Sequence, residues 1–187
     1  TGIPGAFSTR IAYVTVNGRP PSQRFRLVVA DADGFNPRTV MESTEPIMSP
    51  AWSPDGQNLA YVSFEGKASA IYTQRLSSGE RRRVSARAGI NGAPAWSPDG
   101  RRLALTLSRD GNLDIYTLEL ATQSLSRVTS DDAIDTEPEW SRDGQSLYFT
   151  SDRAGNSDIW RVLRTGGDPV QVTTDLADEF APEQSPD

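Results

Sequence analysis

Trp52, Trp96 and Trp140 stand 44 residues apart, each inside a copy of one phrase: Ser49-Pro-Ala-Trp-Ser-Pro-Asp-Gly56, Ala93-Pro-Ala-Trp-Ser-Pro-Asp-Gly100 and Glu137-Pro-Glu-Trp-Ser-Arg-Asp-Gly144. A worn fourth copy, Ala181-Pro-Glu-Gln-Ser-Pro-Asp187, stays in phase, with Gln184 in the tryptophan position. This is the period of a propeller blade, a four-stranded sheet that cannot bury its own faces and must stack on neighbours. The repeat therefore predicts an all-β propeller of four-stranded antiparallel blades, about four of them in one domain spanning 1–187.

The segments between the phrases fit that architecture. Ile11–Val16 is rich in β-branched and aromatic residues and ends at Asn17-Gly18; Phe25–Ala30 and Thr39–Met41 follow as two more strands. This first blade, 9–42, lacks a first strand of its own, and Thr1–Phe7 reads as a lead-in loop. The next blades span 49–86, 93–130 and 137–174, and 181–187 reads as the first strand of a further or closing blade. In the first full unit Pro50–Ser53 is a short strand and Ser53-Pro-Asp-Gly56 a hairpin turn, where Pro presets its φ and Gly tolerates a positive one. Val84, Val128 and Val172 mark the last strand of each unit, and no segment carries a helical apolar stripe.

The formal charge of −6 opposes phosphate binding by the surface as a whole, which argues against nucleic acid as a partner. No apolar run is long enough to span a membrane. The chain contains neither His nor Cys, so the usual neutral-pH general base, thiolate chemistry and sulfur-built zinc sites are all excluded.

Each recurrent residue has a structural reading beside a functional one. The tryptophans at blade period read as packing between sheets before they read as a partner-binding array. Asp55, Asp99 and Asp143 recur where a hairpin needs a carboxylate to bond backbone N–H groups, and Asp114 and Asp158 read as contacts inside a blade. Asp31-Ala-Asp-Gly34 superficially matches a calcium loop, but Gly comes too early and Phe35 occupies a ligand place, so a β-turn is expected. Arg81-Arg-Arg83 reads as a solvated outer edge. The loops leading into the first strands converge around the central opening of a propeller. They carry Glu45 and Met48; Ile90, Asn91 and Gly92; Asp131, Asp132, Asp135, Thr136 and Glu137; and Asp178, Glu179 and Phe180. They read either as ordinary polar loops or as an acidic recognition face on which exposed apolar residues anchor a partner. The carboxylates leave a cation in that opening undecided, and no cofactor is expected.

The repeated core phrase, with Asp114-Ile-Tyr116 and Asp158-Ile-Trp160 downstream, resembles the propeller repeat of the TolB family of the Tol–Pal system. Thr1–Val14 is similar to the junction where that family's amino-terminal α/β domain gives way to its propeller. The resemblance implies a six-bladed ring, so this chain is expected to be a partial or shortened version. In such a ring a strand from the far end completes the first blade; 181–187 either plays that part or begins a further blade. The resemblance further implies a periplasmic, non-enzymatic interaction propeller. Its partners would be the peptidoglycan-associated lipoprotein, other Tol proteins and colicin-type segments, and its roles outer-membrane integrity, cell division and bacteriocin import. The expected partner-binding residues are Met48, Ile90, Asn91, Gly92, Ala93, Asp135, Thr136, Glu137 and Glu179, although Ile90 departs from the polar residue expected at its position. Two rivals share the generic repeat. One is the non-catalytic propeller of a serine peptidase, whose catalytic Ser, Asp and His would lie in a hydrolase domain; this chain has no Gly-x-Ser-x-Gly elbow and no His. The other is a sugar-cleaving propeller enzyme using paired acids such as Asp135 and Glu137.

Overall fold

The computed structural model describes residues 9–175 and 177–183; the readings made for Thr1–Phe7 and Gln184 fall outside them. All fifteen elements among the described residues are strands, in four antiparallel sheets. The first sheet has three strands, β1 (Arg10–Asn17), β2 (Arg24–Asp31) and β3 (Arg38–Ser43). The second runs β4 (Ile47–Trp52), β5 (Asn58–Ser63), β6 (Ala70–Arg75) and β7 (Arg81–Ser85). The third runs β8 (Asn91–Trp96), β9 (Arg102–Leu107), β10 (Asp114–Glu119) and β11 (Leu125–Arg127). The fourth runs β12 (Asp135–Trp140), β13 (Ser146–Ser151), β14 (Asp158–Leu163) and β15 (Val170–Gln171).

The register repeats with the sequence: Asn58 faces Arg75, Arg102 faces Glu119 and Ser146 faces Leu163. The inner strands β4, β8 and β12 begin earlier than their Pro residues suggest. Pro has no N–H to give to a ladder, and the chain accommodates it in a bulge, between Met48 and Ala51, Gly92 and Ala95, and Thr136 and Glu139. Pairing resumes on both sides, so each strand extends back towards its approach loop. The outer strand β7 contains Val84 as expected, but β11 and β15 are shorter. Val128 and Val172 lie just past β11 and β15, held by N–H bonds of 2.8 Å to the carbonyls of Ile115 and Ile159.

Three apolar layers join the sheets in order. Leu27 and Val29 meet Ile47, Leu59 and Tyr61. Ala60, Val62, Ile71 and Val84 meet Leu103, Leu105, Leu107 and Tyr116. Ala95, Ala104, Ile115 and Val128 meet Trp140, Leu147, Phe149 and Val162. Each large side chain taken out of water here contributes about 1.5–3 kcal/mol, so every blade depends on its neighbour. Among the described residues no such layer joins the fourth sheet to the first, and the sheets form an arc. Val172 is 51% exposed on the fourth sheet, where its counterparts Val84 and Val128 are 5% and 6%. Residues 181–183 form no strand. The Ala181 N–H donates to Glu137 Oε2 at 2.9 Å and Thr150 Oγ1 at 3.2 Å, which seats this segment against the fourth sheet.

Candidate functional site

The recurrent residues divide by what they touch. The Trp96 indole N–H donates to the Ala51 carbonyl and that of Trp140 to the Ala95 carbonyl, both at 3.2 Å, so each staples its inner strand to the preceding one. Trp52 instead lies under the Arg10 guanidinium, 4.9 Å from the ring centroid. Asp55, Asp99 and Asp143 close their turns. Each accepts from the Ser hydroxyl two residues back, at 2.5–2.6 Å, and from the backbone N–H two residues on. Those hydroxyl bonds, the largest cause, hold all three carboxyls below the usual range. Asp114 is buried against Arg127 at 2.6 Å, and its pKa is nevertheless raised, because burial outweighs the cation. Asp158 takes Gln171 Nε2 at 2.9 Å. Asp31–Gly34 is a turn closed by the Gly34 N–H on the Asp31 carbonyl. Arg81 departs from the solvated-edge reading: it stacks 4.3 Å over Tyr72 and pairs with Glu65 at 3.2 Å.

The inner strands enclose the centre. One cavity of 490 Å³ is lined at four corresponding places, by Ser49–Trp52, Ala93–Trp96, 137–139 and 181–183. Ser49, Ala93, Glu137 and Ala181 all sit at positive φ, 49°, 43°, 53° and 50°, each directly before a Pro. The residue before proline is driven from the helical region, and the bulge requires the chain to turn back at this point. Four side chains of unlike chemistry share one conformation, so the backbone of the repeat sets it. At the next position inward Ala51 and Ala95 are small, whereas Glu139 and Glu183 place carboxyls in the cavity. Burial first, and then the charge of Glu183, push Glu139 up to about 7. Among the described residues no group of three or more acids is close enough together to hold a metal ion.

The approach loops are fixed by the turns beside them. Ile90 exchanges hydrogen bonds with Ser108, its N–H going to Oγ at 2.7 Å and its carbonyl taking the Ser108 N–H at 3.1 Å. Asn112 Nδ2 donates to the Asp131 and Ala133 carbonyls, and Asn156 does the same one repeat later to Asp175 and Ala177. Asp152 Oδ1 accepts the Ile134 N–H at 2.8 Å. Lys67 pairs with Glu45 across the loops.

Of the residues expected to touch a partner, the structure exposes some and encloses others. Met48 and Ile90 are 52% and 50% exposed, and Ile134 and Phe180 join them at 47% and 60%. Gly92, Ala93, Thr136, Glu137 and Glu179 are half-buried, and of these Ala93 and Glu137 line the cavity. Asn91 and Asp135 are fully buried. The Asn91 carboxamide accepts from Ser85 Oγ and the Arg87 N–H and donates to the Arg87 carbonyl, all within 2.9 Å. Asp135 takes two bonds of 2.8 Å from Arg153 Nη2. Their side chains brace the loops from below and present nothing to solvent. Glu179 stands at the corresponding place one repeat on, where its Oε2 is buried without a hydrogen bond among the described residues. The bracing residues Asn112, Asn156 and Arg153 were not singled out in the sequence. Their signal was the recurrence of Gly111-Asn112 as Gly155-Asn156 at the blade period.

The whole chain, residues 1–187, matches the TolB beta propeller domain family. A Tol-Pal system protein TolB of Methylococcus capsulatus is 63% identical over 93 residues, which is 50% of this chain and 22% of that protein. The crystal structure of TolB from Acinetobacter baumannii superposes with a TM-score of 0.88 at 46% identity, covering 96% of this chain and 45% of that one. A puromycin-hydrolysing peptidase of Mycobacterium tuberculosis shares the fold alone, with a TM-score of 0.66 at 23% identity over 93% of this chain and 28% of its own. The chain thus spans less than half the length of these relatives.

Proposed function

Because this chain belongs to the TolB beta propeller family, we propose that its approach-loop face is a docking surface for the peptidoglycan-associated lipoprotein in the periplasm. The observation that supports this is the shared backbone conformation at Ser49, Ala93, Glu137 and Ala181, which brings four loops to the rim of one cavity. The rim combines exposed Met48, Ile90, Ile134 and Phe180 with an excess of carboxylates. Apolar anchors within an acidic field suit a partner with a complementary basic surface, which the field steers in and the anchors retain. The bracing of the loops keeps this surface preorganised, so little ordering opposes binding.

The activity is non-enzymatic and needs no cofactor. Docking the lipoprotein, and competing for that surface with other Tol proteins or colicin-type segments, would serve outer-membrane integrity and cell division. Titration calorimetry of the chain with the lipoprotein's globular domain tests this. Saturable binding that is abolished by Thr136→Arg, with an unchanged circular dichroism spectrum, is expected; an unchanged affinity in that variant rejects the assigned face.

A further inference from the structure

A second cavity, of 290 Å³, lies at the perimeter between the third and fourth sheets. Thr117 of β10 and Ser124 and Ser126 at β11 line one side, and Arg164 and Thr165 of the β14–β15 turn the other. It is on the side of the Ser-Pro-Asp-Gly turns, opposite the approach loops, because Arg102 on its wall reaches Asp99 of such a turn at 3.8 Å. The turn carrying Arg164 is held in place. Its N–H bonds the Gln145 carbonyl at 3.0 Å, and the Gly166 N–H bonds the Leu163 carbonyl at 2.8 Å.

Two groups here are left without a partner among the described residues. Thr117 is 8% exposed, lines the cavity, and its hydroxyl makes no hydrogen bond among the described residues. The Arg164 guanidinium meets no carboxylate among the described residues, whereas its two neighbours are occupied: Arg102 by Glu119 at 3.0 Å and Arg127 by Asp114 at 2.6 Å. Of the three arginines lining the cavity, Arg164 alone has no carboxylate partner among the described residues, and four hydroxyl residues line the cavity with it.

We propose that this inter-blade cleft binds a small oxyanion, with Arg164 as the charge partner and the hydroxyls of Thr117, Ser124, Ser126 and Thr165 as donors. Arginine presents a planar fork to carboxylate or phosphate oxygens, and hydroxyl donors complete their shell. Carboxylate and phosphate share this chemistry, and two probes separate them.

The test is calorimetric titration of the chain with inorganic phosphate and, separately, with N-acetylglycine. Saturable binding of at least one probe is expected, and the preferred probe identifies the source. Arg164→Gln should weaken it about tenfold or more, as loss of a charge-assisted hydrogen bond implies. Thr117→Val should weaken it less, Arg164→Lys should restore part of it, and Arg83→Gln, on the exposed part of β7, should leave it unchanged. Lipoprotein docking should be unaffected in all four variants. The proposal is overturned if neither probe binds saturably, or if Arg83→Gln weakens binding as much as Arg164→Gln.

Discussion

Replacing Asp135 by Asn removes one charge and little volume, yet it should be among the most damaging single changes in the fourth blade. Asp135 is fully buried at the start of β12 and accepts both of its 2.8 Å bonds from Arg153, whose side chain is only 12% exposed. The guanidinium is also held 5.4 Å from the Phe149 ring and 5.0 Å from that of Trp160, with Nε on Ser151 Oγ at 2.9 Å, so it cannot swing out to water without breaking those contacts. Breaking a buried pair from one side leaves an uncompensated charge and costs about 3–5 kcal/mol. At a slope near 2 kcal/mol per molar urea, the lower figure moves the midpoint down by about 1.5 M. Combining Arg153→Met with Asp135→Leu removes both charges and should recover most of the loss, since an apolar pair of similar volume is often as stable as the ion pair. Urea unfolding followed by tryptophan fluorescence reads both effects. An unchanged midpoint in Asp135→Asn would refute the reasoning. So would a double variant no better than the single one, because the cost would then lie elsewhere than in the unpaired charge.

Glu139 carries a folded pKa of about 7 against an ordinary 4.5, so the fold holds this proton more tightly than the unfolded chain does. Its contribution is therefore fully favourable below about 4.5 and is lost as pH rises towards 7. By pH 8 the charged form costs at most about 3 kcal/mol, reduced by water in the open cavity. Glu139→Gln should be more stabilising at pH 8 than at pH 5, and equal urea-midpoint differences at the two would contradict this. Trp140→Phe removes the 3.2 Å bond to Ala95 and leaves a small void in the core, which together should cost about 2–3 kcal/mol in the same assay. Ser97→Ala deletes both the bond to Asp99 and the one accepted from the Arg102 N–H. It should cost about 1–2 kcal/mol, and an NMR titration should show the Asp99 carboxyl rising back towards its ordinary range.

The sequence carried the architecture because blade stacking imposes a period, and a period is visible without coordinates. The Trp staples, the Ser-Pro-Asp-Gly turns and the positions of the sheets follow from it directly. The rim was legible only as a set of loops. Asn91 and Asp135 look like exposed polar residues in a string of polar residues, and their burial depends on partners 4 to 18 positions away, Arg87 and Arg153, that no local pattern links to them. The left-handed conformation before Pro was hidden for the opposite reason. Ser, Ala and Glu give no glycine signal, and only their equal spacing shows that the backbone, instead of the side chain, is what repeats. The proximity of Glu139 and Glu183 was equally silent, because it joins two repeats that carry Glu where the first two carry Ala.

The most direct test of the docking account is hydrogen exchange of the chain with and without the lipoprotein's globular domain. Slowed exchange concentrated at 45–49, 89–93, 131–137 and 177–181, with the turns at 53–56, 97–100 and 141–144 unaffected, is the predicted footprint. Protection of those turns instead, with the four loops exchanging as freely as before, would contradict it.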